Sequence, residues 1–388
     1  MPHLSDAAEH IRQSVFARLR LRIEERTRAG HELIPLQIGD TYLPPPVATV
    51  AATREELAIY GSTTGLRELH RAILAERQQK GMATFAAPEQ LLVAHGCTHA
   101  LMCTGRAVLS PGDEVLVFAP HWPLIGGVLR TVGAVPVFVD VSPLSLAEPP
   151  SLTSLLAPHR TAKTRAIYFI TPNNPDGFIL DETHLADIAA FAQRHDLWVF
   201  ADEVYADFAY DAPHRHIVEL EGMAERTITT YSLSKSHGLA GIRIGYAIAP
   251  PPVVQLARRI STHSVYSLSA TMQRVAVEAL EGGAEWQREA RARYEHARDE
   301  AVAALDAHGF TYRRPMGGAY TFVDLSPHLG PRTIDELLAA GVDAGVLVAP
   351  GSACGPFSET WARLCFTGVE PEVFRRGVER LARAAEGT

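Results

Sequence analysis

Of the 36 basic residues in this 388-residue chain, three are lysines, Lys80, Lys163 and Lys235, and the rest are arginines. A guanidinium stays protonated in proteins, whereas an ε-amine can lose its proton and attack a carbonyl carbon. Lys80 closes the charged stretch ERQQKG and Lys163 sits in TAKTR, where a solvated cation is expected and arginine would serve equally well. Lys235 lies instead in SLSKSHGLAG, wrapped in serines and glycines between two apolar segments, the setting of an amine held in one place. It is the candidate nucleophile.

The elements that must position it follow from hydrophobic spacing. Short apolar runs recur at LLVA (91–94), EVLVFA (114–119), VPVFVD (135–140), RAIYFI (165–170), LWVFA (197–201), TITTYS (227–232) and IRIGYAIA (242–249). Helical stretches such as THLADIAAFAQRH intervene, which predicts βα units and an α/β fold with a mainly parallel sheet sandwiched by helices. From about residue 285, EWQREARARYEHARDEAVAALDAH reads as one long amphipathic helix, and a smaller α+β region follows it. The expected division is a large domain over 46–290 and a small domain built from 1–45 and 291–388. The proline-rich YLPPPVA marks the crossing between them.

In an open parallel sheet, ligands sit beyond the carboxyl ends of the strands. HGCTHAL follows the first run and opens a helix with a hydroxyl, Thr98, which is either a helix cap or part of a phosphate cradle. PHWP follows the second and places Trp122 where it could stack on a flat ring. TPNNPDG follows the fourth with Asn174, DEVY the fifth with Asp202, and the candidate nucleophile the sixth. A cap is the ordinary explanation of Thr98 and Asp202, a core position that of Trp122 and a turn that of Asn174, each taken alone. Together, a phosphate cradle, a stacking aromatic, a carboxylate and a nucleophilic lysine meet the needs of pyridoxal 5'-phosphate, whose aldehyde forms a Schiff base with lysine and whose ring nitrogen pairs with a carboxylate.

Composition narrows the partners. A formal net charge of -8 argues against nucleic acid, and no apolar run is long enough for a membrane span. The opening MPHLSDAAEHIRQ lacks the apolar core of a signal peptide, so a cytoplasmic enzyme acting on small molecules is expected. Cys97, Cys103, Cys354 and Cys365 show no CxxC spacing and are expected to be reduced. HRH at 214–216 lies in a loop-like stretch, no HExxH exists, and no metal site is expected.

The ordered set IGDTYLPPP, YGSTTGLREL, GCTHAL, PHWP, TPNNPDG, ADEVY, SLSKSHGLAGIRIGY, PGSACG and RLCF resembles the fold type I pyridoxal-phosphate enzymes, in the class I/II aminotransferase branch, over nearly the whole chain. The resemblance implies that Lys235 bears the cofactor and shuttles a proton at the substrate α-carbon, while Asp202 pairs with the ring nitrogen. Asn174 and Tyr205 would hydrogen-bond the phenolic oxygen, and Trp122 would stack on the ring. Cys97 and Thr98 by their backbone, the Thr98, Ser232 and Ser234 hydroxyls, and Arg243 would hold the phosphate. Tyr60 would reach the phosphate of a neighbouring subunit, which implies a homodimer. Arg363 would grip the substrate α-carboxylate, with Gly39 leaving room beside it. Cys97 and Cys354 stand where other residues are common in the family; both positions contribute mainly backbone or shape.

The activity implied is ping-pong transfer of an amino group between an L-amino acid and a 2-oxo acid. A C–S β-lyase or a cyclase of the same branch is the alternative, because removal of the α-proton is common to all three. A cofactor-sensing DNA-binding regulator would need an added N-terminal domain that about 40 residues cannot supply. Members acting on acidic substrates use a further arginine from the neighbouring subunit. STHSVYSLS (261–269) would approach the pocket and offers His263 and Tyr266 but no cation, so neutral or aromatic donors are expected.

Overall fold

The computed structural model describes residues 19–47, 52–85 and 87–387, together with Glu9 and Ile11. Most of the MPHLSDAAEHIRQ start and the last residue of YLPPPVA lie outside the described residues.

Seven strands form the central sheet: β1 (Leu91–Ala94), β2 (Glu114–Ala119), β3 (Val135–Asp140), β4 (Thr164–Ile170), β5 (Trp198–Asp202), β6 (Thr227–Ser232) and β7 (Gly245–Ile248). Their order is β1-β7-β6-β5-β4-β2-β3. Every pairing is parallel except those of β7, which runs antiparallel to both β1 and β6. These segments become strands because they are short, rich in β-branched and aromatic residues, and buried on both faces between helices. The carboxyl ends of β1, β2, β4, β5 and β6 therefore share one edge, and β7 begins there.

The helices used below are α1 (Arg67–Gln79), α2 (Gly96–Val108), α3 (Glu182–His195), α4 (Pro251–Val265), α5 (Ala270–Gly282), α6 (Ala284–Ala307), α7 (Ile334–Ala344) and α8 (Pro371–Glu386). One apolar core joins the sheet to α2 and α4; a second joins its other face to α3, and a third joins β1, β6 and β7 to α1 and α5. A separate core belongs to the smaller unit, where Ala290, Tyr294, Ala297, Ala301 and Leu305 put one stripe of α6 against α7 and α8. Its sheet is antiparallel, in the order β10 (Ala349–Pro350), β11 (Trp361–Cys365), β9 (Tyr320–Asp324), β8 (Thr311–Arg313). The expected boundary at 290 falls inside α6, which runs unbroken from the large sheet's periphery into this core. Among the described residues no helix is long and apolar enough to cross a membrane.

Candidate active site

Ten of the thirteen expected site residues line one cavity of about 210 Å3 at the shared strand edge. Gly39 and Arg363 reach it through hydrogen bonds, and Tyr60 does not line it. Lys235 sits on the single helical turn Leu233–Ser236, capped by Ser232, whose Oγ accepts from the Ser234 N–H at 3.2 Å. Its Nζ donates to the Gly39 carbonyl at 2.5 Å.

Asp202 ends β5 and is buried. The Tyr168 hydroxyl donates to its Oδ2 at 2.9 Å, and the Cys97 Sγ lies 3.7 Å from Oδ1. Burial raises this carboxyl to about 6, against the opposing pull of the Tyr168 hydroxyl first and then of the nearby Val204 N–H, Thr230 and Cys97. The Cys97 thiol is pushed well above its ordinary value by burial and then by the Asp202 charge, so it stays protonated. All four cysteines are free.

The end of the cavity that could take an anion is built at the start of α2. The cap position is His95, no side chain caps the helix, and no acid sits in its first turn, so the first N–H groups have no side-chain acceptor. Thr98 is thus not the cap and lines the cavity. Gly96 has φ +74, and a Cβ there would lie 2.6 Å from Arg243 Nη2. Arg243 itself is left-handed at φ 55, and its Nη1 donates to the Ala240 carbonyl at 3.1 Å and to Ser234 Oγ at 3.4 Å. A Cβ at Gly245 would meet the Cys97 nitrogen at 2.5 Å. Two glycines therefore let helix start, arginine and serines crowd around one point.

Arg363, on β11, is a buried cation. Its Nη1 donates to Asn174 Oδ1 and its Nη2 to the Gln37 carbonyl, each at 2.9 Å, and it lies 4.3 Å over the Tyr320 ring. Its Nε has no partner, and among the described residues no ion pair joins Arg363 to a carboxylate. A buried, uncompensated charge is costly, so this guanidinium could take an anion from outside. Asn174 Nδ2 in turn donates to the Tyr205 hydroxyl at 3.4 Å, and Tyr205 to the Tyr320 hydroxyl at 3.1 Å. The uncapped helix start, the single carboxylate and the orphaned guanidinium nitrogen fit a phosphorylated pyridine and a carboxylated substrate.

Several sequence readings change in detail. The space beside Gly39 is filled by Tyr320: a Cβ at residue 39 would fall 1.7 Å from its hydroxyl oxygen. Lys80 is not a solvated cation; its Nζ donates to Glu76 at 2.7 Å, Asp207 at 2.6 Å and Gln287 at 3.0 Å, tying α1 to α6. Lys163 is exposed as expected. His214 and His216 are packed rather than solvated, both against buried Glu203, with His216 Nδ1 at 2.5 Å from its Oε2. Tyr231 donates to that same oxygen at 2.5 Å. His214 Nε2 lies 3.2 Å from the Glu203 carboxylate without a hydrogen bond, and the donor atoms of Glu203, His214 and His216 stand within 4.8 Å of one another, a grouping that could also hold a metal ion. His263 bonds the Arg259 carbonyl, and Tyr266 packs edge-to-face on Tyr60 at 4.9 Å; neither lines the cavity. Cys354 is buried, and its carbonyl accepts from the His121 N–H at 2.8 Å, beside Trp122.

Sequence reasoning missed Tyr168, Tyr320 and Gln37. The two tyrosines sit inside apolar strand runs, and a phenol within a run such as RAIYFI or AYTFV is the only signal they left.

The sequence pattern of the family described as Aminotransferase class I and II matches residues 31–381. The chain is 30% identical to an aspartate/prephenate aminotransferase of Thermus thermophilus, with 99% of each chain covered. It is 32% identical to an arginine–pyruvate transaminase of Pseudomonas aeruginosa over 93% of this chain and 92% of that one. Among solved structures, a double mutant of Thermus thermophilus aspartate aminotransferase superposes with a TM-score of 0.88 at 28% identity, covering 99% of this chain and 100% of that one. The chain belongs to the class I and II aminotransferases, enzymes that depend on pyridoxal phosphate.

Proposed function

We propose that Lys235 is the amine that holds pyridoxal phosphate and that the rest of the cavity divides between its phosphate, its ring and the substrate. The bound group supplies an aldehyde carbon and a ring that draws off electron density. Cys97 and Thr98 offer backbone N–H groups to the phosphate, joined by the Thr98, Ser232 and Ser234 hydroxyls and the Arg243 guanidinium. Asp202 accepts the ring N–H, Trp122 covers a ring face, and Asn174 and Tyr205 donate to the phenolic oxygen. Arg363 turns its Nε edge to the substrate α-carboxylate. Lys235 Nζ then removes and returns the proton at the α-carbon.

The observation that carries this reading is the convergence of Lys235 and Asp202 on one cavity with a buried Arg363 that has no counter-charge of its own. Each half-reaction converts one partner, an L-amino acid or a 2-oxo acid, and leaves the amino group on the enzyme between them. The test is the absorbance of purified holoenzyme mixed with single L-amino acids: a spectral change reversed by a 2-oxo acid supports it, and no change with any donor refutes it.

Neutral or aromatic donors fit best: among the described residues Lys235, Arg243 and Arg363 already have roles, and STHSVYSLS (261–269), the stretch expected to approach the pocket, adds no cation for a second carboxylate. A clear preference for aspartate or glutamate in that panel would overturn this choice. We assign residues 46–290 to cofactor binding, and 1–45 with 291–388 to the smaller domain. We also assign a cytoplasmic homodimer. Tyr60 and Tyr266, 81% and 50% exposed, stand together on the surface, where Tyr60 would serve the partner's phosphate site.

A further inference from the structure

β4 and β5 pair in parallel with Tyr168 opposite Phe200 and Ile170 opposite Asp202. Side chains alternate along a strand, so Tyr168 and Asp202 stand on one face of the sheet, two residues apart along neighbouring strands. The phenol reaches forward over that offset and donates to Oδ2 at 2.9 Å. Both residues are nearly inaccessible, 1% and 3% exposed. Phenylalanine would fill this core position equally well, and a buried hydroxyl costs free energy unless it is bonded. The hydroxyl therefore has a purpose that packing does not supply.

We infer that Tyr168 is a positioning residue for Asp202: its hydroxyl occupies Oδ2 and fixes the carboxylate so that Oδ1, the oxygen beside Cys97, is the one presented to the cofactor ring. This inference rests on the proposed role of Asp202. The groups facing that carboxylate are the Cys97 thiol from α2, the Thr230 hydroxyl from β6, the Val204 N–H just past β5, and Tyr168 from β4. Burial drives the carboxyl up, and among the groups that pull it back Tyr168 contributes most. A ring N–H needs an ionised acceptor, so the phenol both aims Asp202 and keeps it charged near neutral pH.

The test is to titrate Asp202 in apoenzyme labelled with 13C at aspartate carboxyls, assigning its resonance with Asp202→Asn. In Tyr168→Phe the titration should move to higher pH by roughly one to two on the pH scale, the size of one lost hydrogen bond to a charged group. Incorporation of 2,3-difluorotyrosine at position 168, a stronger donor of the same shape, should move it lower. Pyridoxal phosphate affinity of Tyr168→Phe relative to wild type should fall roughly two- to tenfold at pH 7, as the ionised fraction of Asp202 falls, and recover in alkaline solution. A purely structural defect would lower affinity at every pH. Coincident titrations and affinities in a stably folded Tyr168→Phe overturn the inference; should that variant not fold, absence of the downward movement with difluorotyrosine overturns it. Failure of wild-type protein to retain the cofactor on Lys235 after borohydride reduction would instead refute the proposed function, and with it the ring-facing half of this inference.

Discussion

Arg363→Lys keeps a positive charge at the substrate end of the cavity and removes the fork. Arginine spends Nη1 on Asn174 and Nη2 on the Gln37 carbonyl while its buried Nε has no partner; one ammonium cannot serve both protein acceptors and a carboxylate. The substitution loses one charge-assisted hydrogen bond to the substrate, about 1.5–3 kcal/mol. The guanidinium stacked 4.3 Å over Tyr320 is a contact of the free enzyme too, so its loss bears on stability rather than on kcat/KM. The lost hydrogen bond amounts to on the order of tenfold to 150-fold in kcat/KM. The assay is the single-turnover rate of the first half-reaction against donor concentration, with cofactor saturation verified first. Because the α-carboxylate is gripped before and during reaction, most of the loss should appear as weaker donor binding. Amines without an α-carboxylate should react equally with both proteins. A kcat/KM for the best carboxylated donor within about threefold of wild type would refute the assignment of Arg363.

Lys235→Arg, which keeps charge and removes the nucleophile, should abolish both turnover and borohydride fixation of the cofactor; fixation at another lysine would refute the assignment. Gly39→Ala should introduce overpacking of about 1–3 kcal/mol against Tyr320, measured by urea unfolding, and Tyr320→Phe in the same chain should relieve part of it; additive costs would count against the contact. Burial alone would push the Glu203 carboxyl up, yet His216 and His214 hold it well below 4.5, while Glu203 outweighs burial and raises His216 above 6.5. Glu203 thus contributes stability above pH 4.5 that is lost as pH falls through its depressed value. His216 contributes fully below pH 6.5 and loses it as pH rises through its raised value. His216→Gln should cost about 3–5 kcal/mol and flatten the alkaline fall of the urea midpoint; an unchanged pH profile would rule the pair out as its source. Mixed Lys235→Arg and Tyr60→Ala subunits should show more activity than either parent if Tyr60 acts across a dimer, and none beyond the parents if it acts within its own chain.

What sequence alone could reach follows from which forces are local. The seven apolar runs match strand ends within a few residues, because period and β-propensity are properties of short windows, and five strand-end signals meet at one edge because parallel topology puts them there. Tyr168 was hidden because a phenol inside an apolar run has the pattern of core, and its hydroxyl acquires meaning only from the register of β4 against β5. Lys80 was misread because its neighbours are charged while its partner Asp207 lies 127 residues away. Tyr320 beside Gly39 joins segments that only tertiary packing brings together.

The antiparallel insertion of β7 into the central sheet has a consequence for assembly of the enzyme. By lying between β1 and β6 it sets Gly245 opposite both Ala94 and Ser232, and so brings the turn at Gly96, the serine cluster and Arg243 to one place. A nascent or refolding chain in which this strand has not yet inserted lacks an anion pocket, however complete its parallel strands are. Uptake of the vitamin-derived group would then mark the closing step of sheet formation, and its chromophore would serve as a clock for a long-range pairing that helix signals alone would not time.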